Sequence, residues 1–262
     1  MNIAVCVKQV PDTTEIRIDP VKNTLIRAGV PSIMNPFDRN AVEAGLELKD
    51  RYGGTVTVIS MGPEQAKSIL REALAMGADA AYLVTDRAFG GSDTYATSYI
   101  LSHALRHLGE FDVVLGGKQA IDGDTGQTAS SLAEHLNVPL LTHVLDLEID
   151  GTKVRARRQV EEGTVVVETT LPMLCTLTKE SNKPRYASIG SKIASLNAEI
   201  PEVHFSDLEA EIDPTKIGLK GSPTRVKSTF VPVREAEGLR IEGTPQTMAS
   251  TLIDELTTAK VL

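Results

Sequence analysis

Residues 55–84 read TVTVISMGPEQAKSILREALAMGADAAYLV, and the changes of pattern inside this stretch decide the fold. Thr55 to Met61 is β-branched and predicts a strand. Glu64 to Met76 places Ala66, Ile69, Leu70, Ala73 and Leu74 at helical spacing, and Gly77 stands where a helix end favours a left-handed residue. Ala80 to Val84 is apolar and short again. A strand, a helix and a second strand in so few residues fit a parallel pair joined by a right-handed crossover.

The same alternation extends both ways. Upstream, Asn2 to Val10 is a Val/Ile-rich run suited to a strand buried on both faces. Asn35-Pro36 opens a helix that runs through Ala41, Leu46 and Leu48 to Tyr52 and stops at Gly53-Gly54. Downstream come a helix over Thr94 to Leu108, a strand over Asp112 to Leu115, and a helix over Thr125 to Leu136. After Pro139 the pattern changes: Val154 to Val160 and Val165 to Thr169 flank Glu161-Glu162-Gly163 and read as antiparallel hairpins, and Met173 to Leu177 reads as one more buried strand. The expected fold is α/β, a doubly wound, mostly parallel Rossmann-like sheet with added β-hairpins and a C-terminal arm ending in a helix.

The arm is expected from Ser206. Residues 206–245 are polar, hold Pro214, Pro223, Pro232 and Pro245, and show little periodicity. Met248, Leu252, Ile253 and Leu256 then mark an amphipathic helix. The expected division is an α/β domain over 1–205 and an arm over 206–262.

Of 262 residues, 27 are Lys or Arg and 35 are Asp or Glu, a net charge of −8; 41% are hydrophobic and 4% aromatic, with no Trp. The acidic balance argues against nucleic-acid binding, which needs a basic patch. Scarce aromatics argue against a stacking platform, so any ligand must be gripped largely by backbone. Cys6 and Cys175 lie in apolar runs without metal-type spacing and read as buried, reduced thiols. With no leader-like segment and no apolar run near the ~20 residues of a membrane span, a cytoplasmic protein without membrane insertion is expected.

In a doubly wound sheet, ligands lie beyond the carboxyl ends of strands, where strand order reverses. Three segments fall there: Lys8 to Asp12, Met61-Gly62-Pro63, and Gly116 to Thr128. The last is richest, with Gly116, Gly117, Gly123 and Gly126 and the hydroxyls of Thr125 and Thr128 ahead of an apolar helix. Such a turn can hold phosphate with backbone N–H groups and the positive helix end. It matches neither standard dinucleotide nor P-loop spacing, and a plain βα turn capped by Asp124 or Thr125 explains it equally well. Asp122 and Asp124 would repel phosphate, so hydrogen bonding within the loop is their expected role.

Gly117-Lys118-Gln119-Ala120-Ile121-Asp122 followed by Gln127-Thr128 resembles the signature loop of electron transfer flavoprotein β subunits. Further similarities run along the chain: Val5-Cys6-Val7-Lys8, Met34-Asn35-Pro36-Phe37, Gly62-Pro63, Ala73 to Asp79, Arg158 to Gly163 with Leu171 to Thr176, and Pro184-Arg185-Tyr186-Ala187. Val165 departs from the pattern, which usually has Glu or Gln there.

The resemblance implies an adenine-nucleotide-hydrolase-like sheet. It implies a nucleotide bound by Cys6, Asn35, Pro36, Phe37, Asp38, Met61, Thr94, Gly117, Lys118, Gln119, Ala120, Ile121, Asp122, Gly123, Asp124, Thr125, Gly126, Gln127 and Thr128. It also implies an obligate α-subunit partner, with the arm wrapped on that subunit. One branch of the family holds AMP as a structural filler. The electron-bifurcating branch holds FAD, meets NADH, and delivers electrons to a ferredoxin or flavodoxin and, through the α-subunit FAD, to an acyl-CoA or similar flavin dehydrogenase. Lys8 to Thr13 and Gly90 to Ser98 resemble that second branch, with Thr94 at a second candidate pyrophosphate turn and Asp93 as a simple N-cap in the alternative. Arg185, Tyr186 and Ile189 match the segment that docks the dehydrogenase.

Other features are weaker. His103 and His107 are spaced i, i+4 but lack a third ligand, so a solvent-facing helix is expected. Lys153, Arg155 and Arg157 alternate along one strand face, either solvated or an interface. Lys8 could offset charge on a reduced flavin or simply be solvated. A stand-alone nucleotide-binding stress-type protein shares the sheet, but the arm and the hairpins disfavour it.

Overall fold

The computed structural model describes residues 1–12, 31–227 and 238–262, and the strand backbone at 17–18 and 25–26. Thr13 and Pro232 lie outside the described residues. The strands are β1 Asn2–Cys6, β2 Gln9–Pro11, β3 Arg17–Ile18, β4 Leu25–Ile26, β5 Ser32–Met34, β6 Thr55–Met61, β7 Ala80–Val84, β8 Val113–Gly117, β9 Leu140–Asp150, β10 Lys153–Val160, β11 Gly163–Thr170, β12 Met173–Leu177 and β13 Glu202–Val203. The helices are α1 Pro36–Tyr52, α2 Lys67–Met76, α3 Thr94–Leu108, α4 Thr128–Leu136, α5 Ile189–Leu196, α6 Phe205–Leu208, α7 Gly218–Gly221 and α8 Pro245–Thr258.

Nine strands form one sheet in the order β11-β10-β9-β12-β8-β1-β6-β7-β13. From β12 to β13 every pair is parallel, as is β12 with β9, while β9, β10 and β11 pair antiparallel. The fold is thus the doubly wound, mostly parallel α/β sheet expected, with the hairpins extending the same sheet. Side-chain alternation splits the core: Ile3 and Val5 face α1 and α2 with Val42, Leu46, Ile69 and Leu70, whereas Ala4 faces α3 and α4 with Ile100, Leu101, Leu132 and Ala133.

Several boundaries differ from expectation for identifiable reasons. The first strand leaves the sheet after Cys6, and Gln9–Pro11 pairs with Ser32–Met34 in a ribbon of its own. Helix α4 begins at Thr128 rather than Thr125, because Asp124 (φ 52°) and Gly126 (φ 61°) are left-handed and cannot sit in a right-handed helix. Helix α5, capped by the Ser188 hydroxyl on Ser191 N–H, was not expected.

The chain divides into two compact units, Met1–Lys227 and Ser228–Leu262. Where the arm was expected from Ser206, residues 206–227 belong to the first unit: Leu208, Ile212 and Ile217 are buried in the cluster around α3. Leu208 and Ile212 are one helical turn apart, but Pro214 and Pro223 and the polar residues around them keep any longer period from forming, which is why composition alone read the segment as arm. In the second unit α8 is the only regular element among the described residues, with Thr244 accepting from Thr247 N–H and Pro245 at the first helical position.

The basic stripe also resolves. Arg155 and Arg157 on β10 lie opposite Glu148 and Asp146 of β9, Lys153 opposite Asp150, and Arg155 opposite Glu168 of β11. Acidic residues thus stand in register beside each of these bases, so the face carries mixed charge rather than a basic patch. His103, expected to face solvent, is partly covered and packs edge-on against Tyr99 with centroids 4.6 Å apart.

Candidate functional site

The chain proceeds from β1 to β6 and β7 on one side and returns to place β8 on the other, so strand order reverses between β1 and β8. Beyond the carboxyl ends of these strands lies a cleft of about 1540 Å³. Pockets for small molecules and cofactors usually run at roughly 300–1,000 Å³. This one has room for something longer.

One wall is the segment from Gly117 to Thr128. Its shape is set from below by Asn35, fully buried, whose side-chain amide donates to Gln119 O at 2.8 Å and accepts from Ile121 N at 3.3 Å. Asp124 accepts from the Gln119 side chain, and Asp124 N donates to Ala120 O. Asp124 therefore bonds within the loop, while Asp122 reaches out to Lys8, whose Nζ lies 2.7 Å away. A Cβ added at Gly116 or Gly123 would meet no protein atom within 4 Å, so both open onto the cleft. Gly117 is required for another reason: a Cβ there would lie 2.3 Å from Asp38 Oδ1 and 2.6 Å from Phe37 Cβ.

The segment delivers the chain into α4, whose N-cap Gln127 makes no side-chain capping bond. Thr128 and Ala129 border the cleft, so the positive helix end is presented to it. Helix α3 is different. Asp93 caps it, accepting from Ala96 N, Thr224 N and Thr224 Oγ1. Burial opposes its charge, but these bonds win and hold the carboxyl below its usual range. A carboxylate thus already occupies the turn before Thr94, although Thr94 itself borders the cleft. The anion-receptive end is that of α4.

Most residues expected in the site border the cleft: Cys6, Asp38, Met61, Thr94, Gly117 to Ala120 and Asp122 to Thr128. Asn35, Pro36, Phe37 and Ile121 do not; they shape the wall from behind. Cys6 is partly covered, and burial, with the charge of Asp38 adding, pushes its thiol up to about 12, so it is no nucleophile at neutral pH. Sequence reasoning left Thr85, Asp86, Arg87, Phe89, His204 and Thr224 out of the site, yet all line it. The first three follow the carboxyl end of β7 and were findable from the strand rule. His204 and Thr224 come from residues taken for domain boundary and arm, with no local signal. Lys8, Lys118 and Arg87 supply the cleft's Lys and Arg cations; among the described residues Lys118 and Arg87 have no carboxylate within 4.0 Å. Open glycines, an uncapped helix end and two uncommitted cations fit a nucleotide phosphate chain.

A second surface lies on Tyr186 and α5, the helix that packs on α2. Tyr186 and Ile189 are 91% and 80% exposed, and Ile193 and Leu196 continue the apolar display along α5. Arg185, expected beside them as a docking residue, is instead tied inward to Glu43 and Asp50.

A model of the electron transfer flavoprotein domain matches residues 22–208. The chain is 50% identical over 256 residues to the electron transfer flavoprotein subunit beta of Clostridium acetobutylicum, covering 98% of each. It is 47% identical over 258 residues to the caffeyl-CoA reductase-Etf complex subunit CarD of Acetobacterium woodii, again covering 98% of each. With the protein FixA of Azorhizobium caulinodans it shares 45% over 244 residues, 90% of this chain and 86% of that one.

Proposed function

The chain belongs to the electron transfer flavoprotein family, as a β subunit serving electron transfer, and from that premise we propose that its cleft holds FAD and that it works with NADH in flavin-based electron bifurcation. The observation that carries this reading is the size of the cleft, about 1540 Å³, above the roughly 300–1,000 Å³ usual for small-molecule and cofactor sites, with its lining reaching from the Gly117–Thr128 wall to the turn at Gly90–Thr94. The likeness to CarD supports a place in a complex with a CoA-ester reductase.

FAD, when bound, supplies two-electron acceptance from a hydride donor and one-electron release. The chain's own residues bind and orient. The amides opening α4, with Lys118 and Arg87, hold the pyrophosphate; Gly116 and Gly123 let it approach the backbone. Asn35 keeps the loop in register. No side chain acts as nucleophile or general base. Lys8, its ammonium paired with Asp122, also borders the cleft and adds a positive charge beside any charge developing there.

The obligate partner is an α subunit, on which α8 packs as the end of the arm, and the complex works in the cytoplasm. Tyr186 and Ile189 dock an acyl-CoA or similar flavin dehydrogenase, and a ferredoxin or flavodoxin takes the second electron. Among the described residues no helix is long and apolar enough to cross a membrane. Cofactor extraction from the heterodimer tests the reading: two FAD, one reducible by NADH, is the expected result. One FAD and one AMP would replace it with the structural-nucleotide role.

A further inference from the structure

Strands β1 and β8 pair in register as far as Cys6 and Gly116, and then part. One carboxylate sits in the fork. Asp38 Oδ2 accepts the N–H of Lys8 at 2.7 Å, and Oδ1 accepts the N–H of Gly117 at 3.1 Å. These bonds continue the cross-strand linkage past the point where the ladder ends, and Gly117 is where the glycine-rich wall begins. Asp38 is only 6% exposed, at the third position of α1, where the positive helix end favours it.

We infer that Asp38 is the positioning residue of the cleft: ionised, it clamps Gly117 and the wall to the first strand; protonated, it lets Gly117 go and weakens retention of the nucleotide. The inference deepens the nucleotide-binding reading and rests on it for its second half.

The chemistry is one of donors and acceptors. Lys8 N–H and Gly117 N–H both donate, so both carboxylate oxygens must accept. A protonated carboxyl carries an O–H on one of them, and that oxygen becomes a donor and a much weaker acceptor, with no negative charge to hold an N–H. The longer bond, to Gly117, is the one expected to open. Protonation is within reach at ordinary pH because burial outweighs the hydrogen bonds and pushes Asp38 from 3.8 up to about 7. The ionisable groups acting on it are few. From β1, Cys6 stays a neutral thiol; beyond it the Lys8 ammonium favours the charge, but is committed to Asp122. From β8 only the Gly117 amide arrives, and from the N-cap of α1 the Asn35 side chain assists the charged form. Lys179, past the end of β12, is spent over the Phe37 ring at 4.8 Å. No Lys, Arg or His lies within 4.0 Å of Asp38 among the described residues.

Amide hydrogen exchange on the full chain in its heterodimer, followed from about pH 5.5 to 8.5 and corrected for intrinsic rates, tests the clamp without any added ligand. Protection at Gly117 should fall about tenfold as pH drops through about 7, the size of one lost hydrogen bond to a charged acceptor. Val58, on the buried centre of β6, should stay constant. In Asp38→Asn the Gly117 profile should be flat. A flat Gly117 profile in the wild-type protein overturns the clamp whether or not the variant folds. AMP and FAD binding measured over the same range gives the second half. Affinity should weaken as Gly117 is released, and constant affinity overturns the coupling. If Gly117 titrates but neither nucleotide binds at any pH, the clamp stands and the nucleotide reading fails.

Discussion

Glu43 of α1, 4% exposed, accepts both the backbone N–H of Arg185 at 2.8 Å and its guanidinium Nε at 3.0 Å. Arg185 also reaches Asp50 at 2.7 Å, and these bonds hold its guanidinium above its usual range. Three residues earlier, Asn182 and Asn40 exchange amide bonds at 2.9 to 3.0 Å. The segment that displays Tyr186 and Ile189 is therefore fastened to α1, the helix whose first turn carries Asn35 and Asp38.

Removing half of this anchor should be felt in stability. Glu43→Gln keeps the shape but leaves one donor of Arg185 without a charged acceptor inside a buried site. A loss of about 1–3 kcal/mol is expected. Urea denaturation checks it, and a change within 0.5 kcal/mol of zero, the range of ordinary surface substitutions, would show the pair to be inessential.

Ile189 and Tyr186 project past that anchor without touching the cleft. Ile189→Ala should slow electron delivery to the dehydrogenase while FAD content stays as in the wild type. Stopped-flow transfer kinetics and flavin stoichiometry together decide it; unchanged transfer would remove Ile189 from the docking surface, and lost flavin would point to damage in the fold.

The division at Lys227 changes where a truncation should be informative. A chain ending at Lys227 keeps Leu208, Ile212 and Ile217 in the first unit and should fold, yet fail to co-purify with the α subunit. One ending at Phe205 removes those side chains as well, at about 1.5–3 kcal/mol for each large apolar group, and should be markedly less stable. Retention of the α subunit by the Lys227 truncation would mean that α8 is not the clamp.

Two sets of groups give stability opposite pH slopes. Burial lowers His103, His135 and His143, with Arg106 adding at the first two and Lys118 at the third. The unfolded chain then binds more protons, so their contribution is present above about pH 6.5 and lost as pH falls through it. Asp38 is raised to about 7, so the folded chain binds the extra proton between 3.8 and that value. Its contribution is full at low pH and declines as pH rises through about 7. The two slopes oppose each other in the wild type, so Asp38→Asn, which keeps only the histidine contribution, should gain stability more steeply with rising pH than the wild type. Superimposable denaturation profiles for the two proteins would contradict the shift at Asp38.

The sheet was legible because its signals are local. β-branched runs such as Thr55–Met61, the helical spacing of Ile69, Leu70 and Ala73, and Gly77 at a helix end each speak within a dozen residues. The glycine-rich wall was legible for the same reason: glycines, hydroxyls and a following apolar helix are contiguous. Start points were less so. Thr125 reads as helical until the left-handed turns at Asp124 and Gly126 are seen.

By itself, then, the sequence determined the alternating α/β core, the family, and which glycine-rich loop borders the cleft. Only the tertiary structure decided what the individual charges do. Asp38 and Lys8 are 30 residues apart, Lys8 and Asp122 114, and Arg185 and Glu43 142. Arg185 turned to Glu43 and Asp50 of α1, Asp93 filled the helix end beside Thr94, and the stripe at Lys153 to Arg157 came into register with acidic residues of β9. Hydrophobic period is a property of neighbouring residues, whereas a charge takes its role from whichever partner the fold brings within a few ångströms.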